Sequence, residues 1–355
     1  MKRPLFPLCM CMCCLVLIFP LLFLLTGCSD PDAEAAGGAD DHSLTFFAMD
    51  ASVTFTAYTE GAGQALAQAQ DKLIYLERLW SATDKGGDIY AVNHAGGKPV
   101  SVADETAELL DFTLRMSERT DGALDPTVYP VLTAWGFTTG ESRIPSEDEI
   151  ASLLPLVGYE NVSLSGSTVQ LPDGVMLDLG AVEKGYAGDI IAELLRENGI
   201  TSALLNLGGS VIAVGKQPDG SDFLIRLKDP TGNGIVGDLM ISDLAAVTSG
   251  AYERYFIGED GELYSHMIDP ETGYPVKSGL LSVTVIAKEG KVCGALSSSL
   301  FVMGAERAIE YWRQDQNFDM ILITESRDIY LTSGISERFT VDESHSYMNI
   351  YTISE

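Results

Sequence analysis

Positive charge is what this 355-residue chain has least of. Its 22 lysines and arginines stand against 51 aspartates and glutamates, a formal net charge of −29 at pH 7. A surface that acidic repels phosphate backbones and anionic headgroups, which excludes nucleic acid and anionic lipid as general partners. Any anionic small molecule must therefore meet a local positive site or a metal. Cysteine is also scarce once position is considered. Of six, Cys9, Cys11, Cys13 and Cys14 lie in an apolar leader, leaving only Cys28 and Cys293. That excludes a disulfide-stapled fold. There is no P-loop, no GxGxxG fingerprint, no nucleophile elbow and no internal repeat.

What is there begins with a targeting segment, residues 1–28. Lys2 and Arg3 open it, a mostly apolar run follows, and Leu25-Thr26-Gly27-Cys28 closes it. A leucine, two small residues and a cysteine form the lipobox pattern. It implies cleavage before Cys28, lipid on Cys28, and a place on the outer face of the cell membrane. A plain transmembrane anchor is the alternative, since the run is nearly long enough. Residues 29–43 are small and acidic and read as a flexible tether, His42 included. Residues 44–355 suffice for one large core or two intimately joined lobes.

The chemistry centres on residues 177–209. Leu177-Asp178-Leu179 reads as the end of a strand broken by Gly180. A helix then opens around Lys184, with Ala187, Ile190, Ile191, Leu194 and Leu195 at helical spacing, and Asn198-Gly199 stops it. A helix N-terminus offers free N–H groups to an anion, and Lys184 adds a mobile charge at that end. Asp178 stands close enough to orient the lysine or to accept from a base or ribose. An ordinary surface ion pair beside a core helix explains the segment equally well.

Elsewhere, residues 64–81 read as an amphipathic helix burying Leu66, Ala69, Leu73, Leu76 and Trp80. Residues 44–58, 223–227, 239–247 and 280–287 read as strands, and Ser101 with Asp104 as a capping-box start. Of four histidines only His266 sits inside a motif, HMIDPETG. An ordinary imidazole would accept a hydroxyl proton near neutral pH; a histidine propping the turn fits as well. Asp269-Pro270 with Gly273 is good turn chemistry in its own right.

From about Met49 onward the sequence resembles the bacterial FAD:protein FMN transferases, the ApbE family. Three stretches carry the likeness: DGALDPTVYPVLTAWGF at 121–137, Asp178-Leu179-Gly180-Ala181 with Lys184-Gly185-Tyr186-Ala187 and Asp189, and His266, Ile268, Asp269, Pro270, Thr272, Gly273. The resemblance implies an α+β fold, a single T-fold-like domain of mixed and antiparallel sheets with packed helices. It implies that FMN passes from FAD to a threonine or serine hydroxyl of a partner, with AMP released and magnesium required. Expected partners are exported flavin-acceptor domains of membrane redox complexes. By the same resemblance Met49, Thr83, Ala123, Leu124, Asp125, Asp178, Lys184 and Ile268 contact the flavin nucleotide. His266 is the base and Lys184 assists it; Ala181 (through its carbonyl), position 294 and Ser298 hold magnesium. Two departures stand out. Gly294 occupies the place of the family's metal-binding aspartate, and Ala251 that of the aspartate in T-S-G-D-Y. They leave open an FAD pyrophosphatase, or a catalytically weakened flavin-binding lipoprotein.

Overall fold

The structure, a computed structural model, describes residues 42–232, 234–342 and 349–354. The leader, Cys28 and the tether up to residue 41 lie outside them. His42 and Ser43, read as the end of the tether, already belong to the first strand, His42–Ala48, where they pair with Ala57 and Thr56.

Nine strands form the main sheet. In spatial order they are His42–Ala48, Ala51–Ala57, Ser202–Leu207, Ser210–Gly215, Ala245–Gly250, Leu280–Ala287, Asp319–Thr324, Ile329–Thr332 and Ile350–Ile353. Every neighbouring pair is antiparallel except the last, which is parallel. Alternation along the strands sends Ile212, Val214, Val247, Val283, Val285 and Leu322 to one face, where helices cover them. It sends Val211, Ala213, Ala246, Ile286, Ile321 and Ile323 to the other. There a three-stranded sheet of Phe223–Lys228, Ile235–Ile241 and Phe339–Val341 packs on them. A sheet buried on both faces favours apolar residues at successive positions, which is why residues 211–214 read as an unbroken apolar run.

The helices on the first face are Gly63–Trp80, Asp104–Arg119, Glu183–Glu197 and Gly290–Gln314. The apolar stripe expected for the first is buried as read, from Leu66 to Trp80. The last is apolar and long enough to cross a bilayer, yet Leu296, Leu300, Phe301 and Trp312 are core residues and Gly304 breaks its helical geometry at φ 79°. Glu183–Glu197 and Gly290–Gln314 cross where Gly185 faces Gly290. A Cβ on Gly185 would sit 2.1 Å from the Gly290 carbonyl oxygen, so only glycine fits.

Four local readings are corrected. Residues 44–58 are a hairpin, not one strand, turning at Met49-Asp50 with φ of 51° and 56°. Two left-handed residues suit the twist of a tight hairpin, but Met-Asp carries none of the usual Asn-Gly signal. Ser101 caps nothing. It ends a short strand, while the N–H of Ala103, at the cap position, donates to Asp88 Oδ2 at 2.8 Å. Residues 239–247 hold two strands, parted by a turn in which Asp243 has φ 48°. Leu177-Asp178-Leu179 is extended but joins no sheet. The Asn93 side chain replaces a neighbouring strand: its Nδ2 donates to the Leu177 carbonyl (2.9 Å) and its Oδ1 accepts from the Leu177 N–H (2.7 Å).

Candidate active site

One cleft gathers most of the residues singled out above. Met49, Ala123, Leu124, Asp125, Asp178, Ala181, Lys184, His266, Ile268 and Ser298 all line it. So do Asp50, Glu183, Ser249, Glu253 and Arg254, which the sequence did not single out. Thr83 does not reach it. It is exposed in the turn after the first helix, its hydroxyl 3.1 Å from that of Ser81. Gly294 does not line the cleft either, but lies buried behind Ala181.

The floor is built by the segment before the central helix. The Asp178 N–H donates to the Pro126 carbonyl at 2.7 Å, fixing the segment against the 121–137 loop. Asp178 Oδ1 in turn accepts from the Gly180 N–H at 3.0 Å, folding the chain into the helix start. Val182 stands at the cap with no side-chain cap; the Glu183 N–H is taken by the Leu179 carbonyl at 2.9 Å, and the following N–H groups of the first turn have no side-chain partner. Lys184 adds an ammonium. Among the described residues, none forms a hydrogen bond or ion pair with it.

Charge in the cleft is mixed. Burial raises Asp178 above the usual carboxylate range, opposed by the Gly180 N–H and by Arg254 and Lys184. Burial, with Asp178 beside it, pushes Glu183 up to about 7. Glu253 is raised by burial too, with Lys184 and Lys228 pulling it back. Lys184 and Arg254 are thus the cations about which these carboxylates are arranged. Asp125 is committed to structure: Oδ1 accepts from the Thr127 N–H (2.8 Å) and hydroxyl (2.5 Å), and Oδ2 from the Tyr159 N–H (2.8 Å). It pins the loop whose Ala123 and Leu124 line the cleft.

His266 lies at the rim. Its Nδ1 is 3.1 Å from the Arg254 carbonyl oxygen, which can only accept, so Nδ1 carries the hydrogen and Nε2 is the free base. Burial, with the Arg254 and Lys184 charges nearby, lowers its pKa to about 4. The imidazole is therefore neutral, and able to accept a proton, throughout the physiological range. An aromatic group backs it. Phe137 lies 6.4 Å from its ring, and Trp135, Phe256 and Tyr264 pack beyond. Trp135 Nε1 donates to the Gly273 carbonyl at 2.9 Å, tying the 121–137 loop to the HMIDPETG turn.

The positions expected from the sequence to hold a metal lie close together but do not make a complete site. A Cβ on Gly294 would lie 2.9 Å from the Ala181 carbonyl oxygen, so position 294 faces that ligand directly. One turn along the same helix, Ser298 lines the cleft, its hydroxyl 3.2 Å from that of Ser249. Asp269 does not replace the missing carboxylate: Oδ1 accepts from the Glu271 N–H and Oδ2 from the Thr272 hydroxyl. Among the described residues no three histidine, cysteine or carboxylate side chains converge to hold an ion. One carbonyl and one hydroxyl are hard, neutral donors. They fit a magnesium ion that arrives with phosphate oxygens, not one retained by protein alone.

Of the residues missed, Arg254 and Glu253 sit just past the Thr248-Ser249-Gly250 motif, and Glu183 in an unassigned position beside Lys184. Charged residues in a strongly charged chain read as solvated. The available signal was Arg254, a scarce cation two residues after Tyr252.

Comparison with known proteins places the chain in a family. Residues 49–322 match the ApbE family. An FAD:protein FMN transferase of Klebsiella pneumoniae is 33% identical over 285 residues, covering 78% of this chain and 88% of the relative. One from Treponema pallidum is 31% identical, covering 78% and 82%. Among solved structures, the ApbE protein of Thermotoga maritima superposes with TM-score 0.76 at 29% identity, covering 86% of this chain and 98% of the other. The flavin transferase ApbE from Vibrio cholerae superposes with TM-score 0.76 at 26% identity, covering 84% and 99%.

Proposed function

Since the chain belongs to the ApbE family, we propose that its cleft binds FAD and transfers the FMN moiety to a hydroxyl of an acceptor protein. The observation that carries this is the meeting, in one cleft, of an unpaired lysine, an open helix N-terminus and a neutral histidine. The diphosphate lies against the helix start, where Lys184 and Arg254 offset its charge. The acceptor hydroxyl oxygen attacks the phosphorus on the FMN side. The bond from that phosphorus to the bridging oxygen breaks, and AMP leaves with the bridging oxygen. His266 Nε2 takes the hydroxyl proton, while Nδ1–H, held by the Arg254 carbonyl, fixes the ring. Burial is the main cause that depresses His266, and bound diphosphate offsets the smaller contribution of the Arg254 and Lys184 charges. Lys184 assists by charge, not as a proton carrier. Met49 and Ile268 offer apolar surface to the flavin ring.

Magnesium would be held by the Ala181 carbonyl, the Ser298 hydroxyl and the substrate's own phosphate oxygens, and would supply further charge neutralisation there. The acceptors we place on exported domains of membrane redox complexes. The lipobox ending at Cys28 supports this, because a lipid anchor would hold the enzyme on the same membrane face.

The test is incubation of the protein with FAD, magnesium and exported membrane proteins, reading covalent flavin on protein and free AMP. His266→Gln should lower transfer about 10²- to 10⁴-fold while leaving FAD affinity unchanged. Release of AMP at the same rate with and without acceptor would replace transfer by hydrolysis. Absence of FAD binding would remove the reading altogether.

A further inference from the structure

The rim of the cleft carries a feature that FAD binding does not use. Arg254 and His266 stand at the base of a small hairpin, Tyr255–Ile257 paired with Leu263–Ser265, which is a two-stranded sheet by itself. Its inner face is accounted for: Phe256 stacks on Tyr264 at 5.3 Å, and both pack on Trp135. Alternation turns Tyr255, Ile257 and Leu263 to the opposite face. They are 51%, 59% and 44% exposed, with Ile257 directly across from Leu263. Ile144, 44% exposed, adjoins the same hairpin, its Cδ1 3.1 Å from where a Cβ on Gly258 would lie. The free face of such a ribbon ordinarily carries polar residues. An apolar cluster there, on a chain of net charge −29, marks a contact surface.

We infer that this hairpin face is where the acceptor protein docks. The inference rests on the flavin-transfer reading above and adds the surface that selects its second substrate. Continuity with the site is the argument. The backbone of residue 254 both opens the hairpin and orients His266, through its carbonyl at 3.1 Å. A protein seated on Ile257 and Leu263 therefore presents its nearest segment to the base that must take its proton. The loop that rims the patch is acidic, Gly258-Glu259-Asp260-Gly261-Glu262, with Lys277 beside Glu262 at 3.7 Å. The matching partner is a folded protein that offers its hydroxyl beside an apolar strip edged with lysine or arginine.

The probes are the purified exported protein that the wild-type chain labels with fluorescent flavin, and a short peptide spanning its labelled hydroxyl. Ile257→Asp and Leu263→Asp should each raise KM for the protein acceptor at least about tenfold. KM for the peptide and FAD affinity, read by flavin fluorescence, should stay as in the wild type, and Ile257→Val should behave as wild type. An unchanged KM for the protein acceptor in both aspartate variants would overturn the inference. So would an equal rise for peptide and protein, which would mean damage to the cleft. A lost self-association as the only change would assign the face to a second copy of the chain instead. A wild-type chain that labels nothing would overturn the flavin-transfer reading and this inference together. Labelling that is indifferent to both variants overturns the docking surface alone.

Discussion

Two helix N-termini lie close together in this molecule and are treated in opposite ways. At the start of Gly290–Gln314, Asp189 closes the end: its Oδ1 accepts from the Gly290 N–H at 2.6 Å and its Oδ2 from the Lys291 N–H at 2.9 Å. At the start of Glu183–Glu197 no side chain caps the end, and the cleft opens there instead. Both ends have the same unsatisfied donors and the same partial positive charge. One is satisfied by the protein and serves the fold. The other opens on the cleft and, on the flavin-transfer reading, takes a ligand's anion. Asp189 and Lys184 lie within two turns of the same helix, so one element supplies both the plug and the open mouth.

The largest effect should come from the point where the two ends touch. Gly185→Ala places a Cβ 2.1 Å from the Gly290 carbonyl, backbone against backbone, so the two helices must part. The expected loss exceeds about 3 kcal/mol, far more than alanine's helix preference returns. Denaturant unfolding measures it. A loss under 1 kcal/mol, on the order of a surface substitution, would mean the crossing is looser than described.

The open end should respond in affinity instead. Lys184→Gln removes an ammonium that forms no hydrogen bond or ion pair with the described residues but lies near Asp178, Glu183 and Glu253, so folding stability should fall only slightly, by under about 1 kcal/mol. FAD affinity should fall about 10- to 100-fold, the scale of a charge-assisted contact. Titration of flavin fluorescence reads it, and an unfolding curve on the same variant keeps the two regions apart. Equal losses of stability and affinity would erase the contrast between the two ends.

The closed end has a pH signature as well. Burial raises Asp189 to about 6, the two N–H donors only partly offsetting it. Between pH 4 and 6 the unfolded chain has released this proton and the folded chain holds it. The contribution of Asp189 to stability therefore falls as pH rises across that window and is level above it. The size is about 1–3 kcal/mol. Asp189→Asn should flatten that segment of the stability–pH curve relative to wild type; parallel curves would rule the assignment out.

The contrast also explains what the sequence could show. The helices were legible because each carries one apolar stripe at a fixed period, as with Leu66, Ala69, Leu73, Leu76 and Trp80. The cleft was legible where whole motifs carry it, from Asp178 to Lys184 and at His266. What stayed hidden depends on long-range partners. Nothing local announces that Asn93 holds Leu177, or that Asp125 spends its second carboxylate oxygen on the Tyr159 N–H. The Met49-Asp50 turn was hidden for a different reason: its left-handed backbone goes against residue preference, as strained backbone at a functional cleft often does. Arg254 and Glu183 were hidden by composition, since isolated charges in an acidic chain look like solvated surface.

The smallest expected effect concerns the proposed metal positions between the two ends. Gly294 faces the Ala181 carbonyl, and Ser298 lies one turn on. With two neutral oxygens, the wild-type protein should bind manganese, a spectroscopic stand-in for magnesium, only when FAD is present. Gly294→Asp adds the carboxylate. Its Cβ would meet the Ala181 carbonyl oxygen at 2.9 Å, so the backbone must yield by a few tenths of an ångström. A stability loss of about 1 kcal/mol is expected, part of it returned by replacing glycine within a helix. Electron paramagnetic resonance should then show manganese bound without FAD, and FAD affinity should depend less on added metal. Manganese bound by the FAD-free wild type would show instead that the cleft carboxylates Asp178 and Glu183 already complete a resident site, and that position 294 had become free to lose its aspartate.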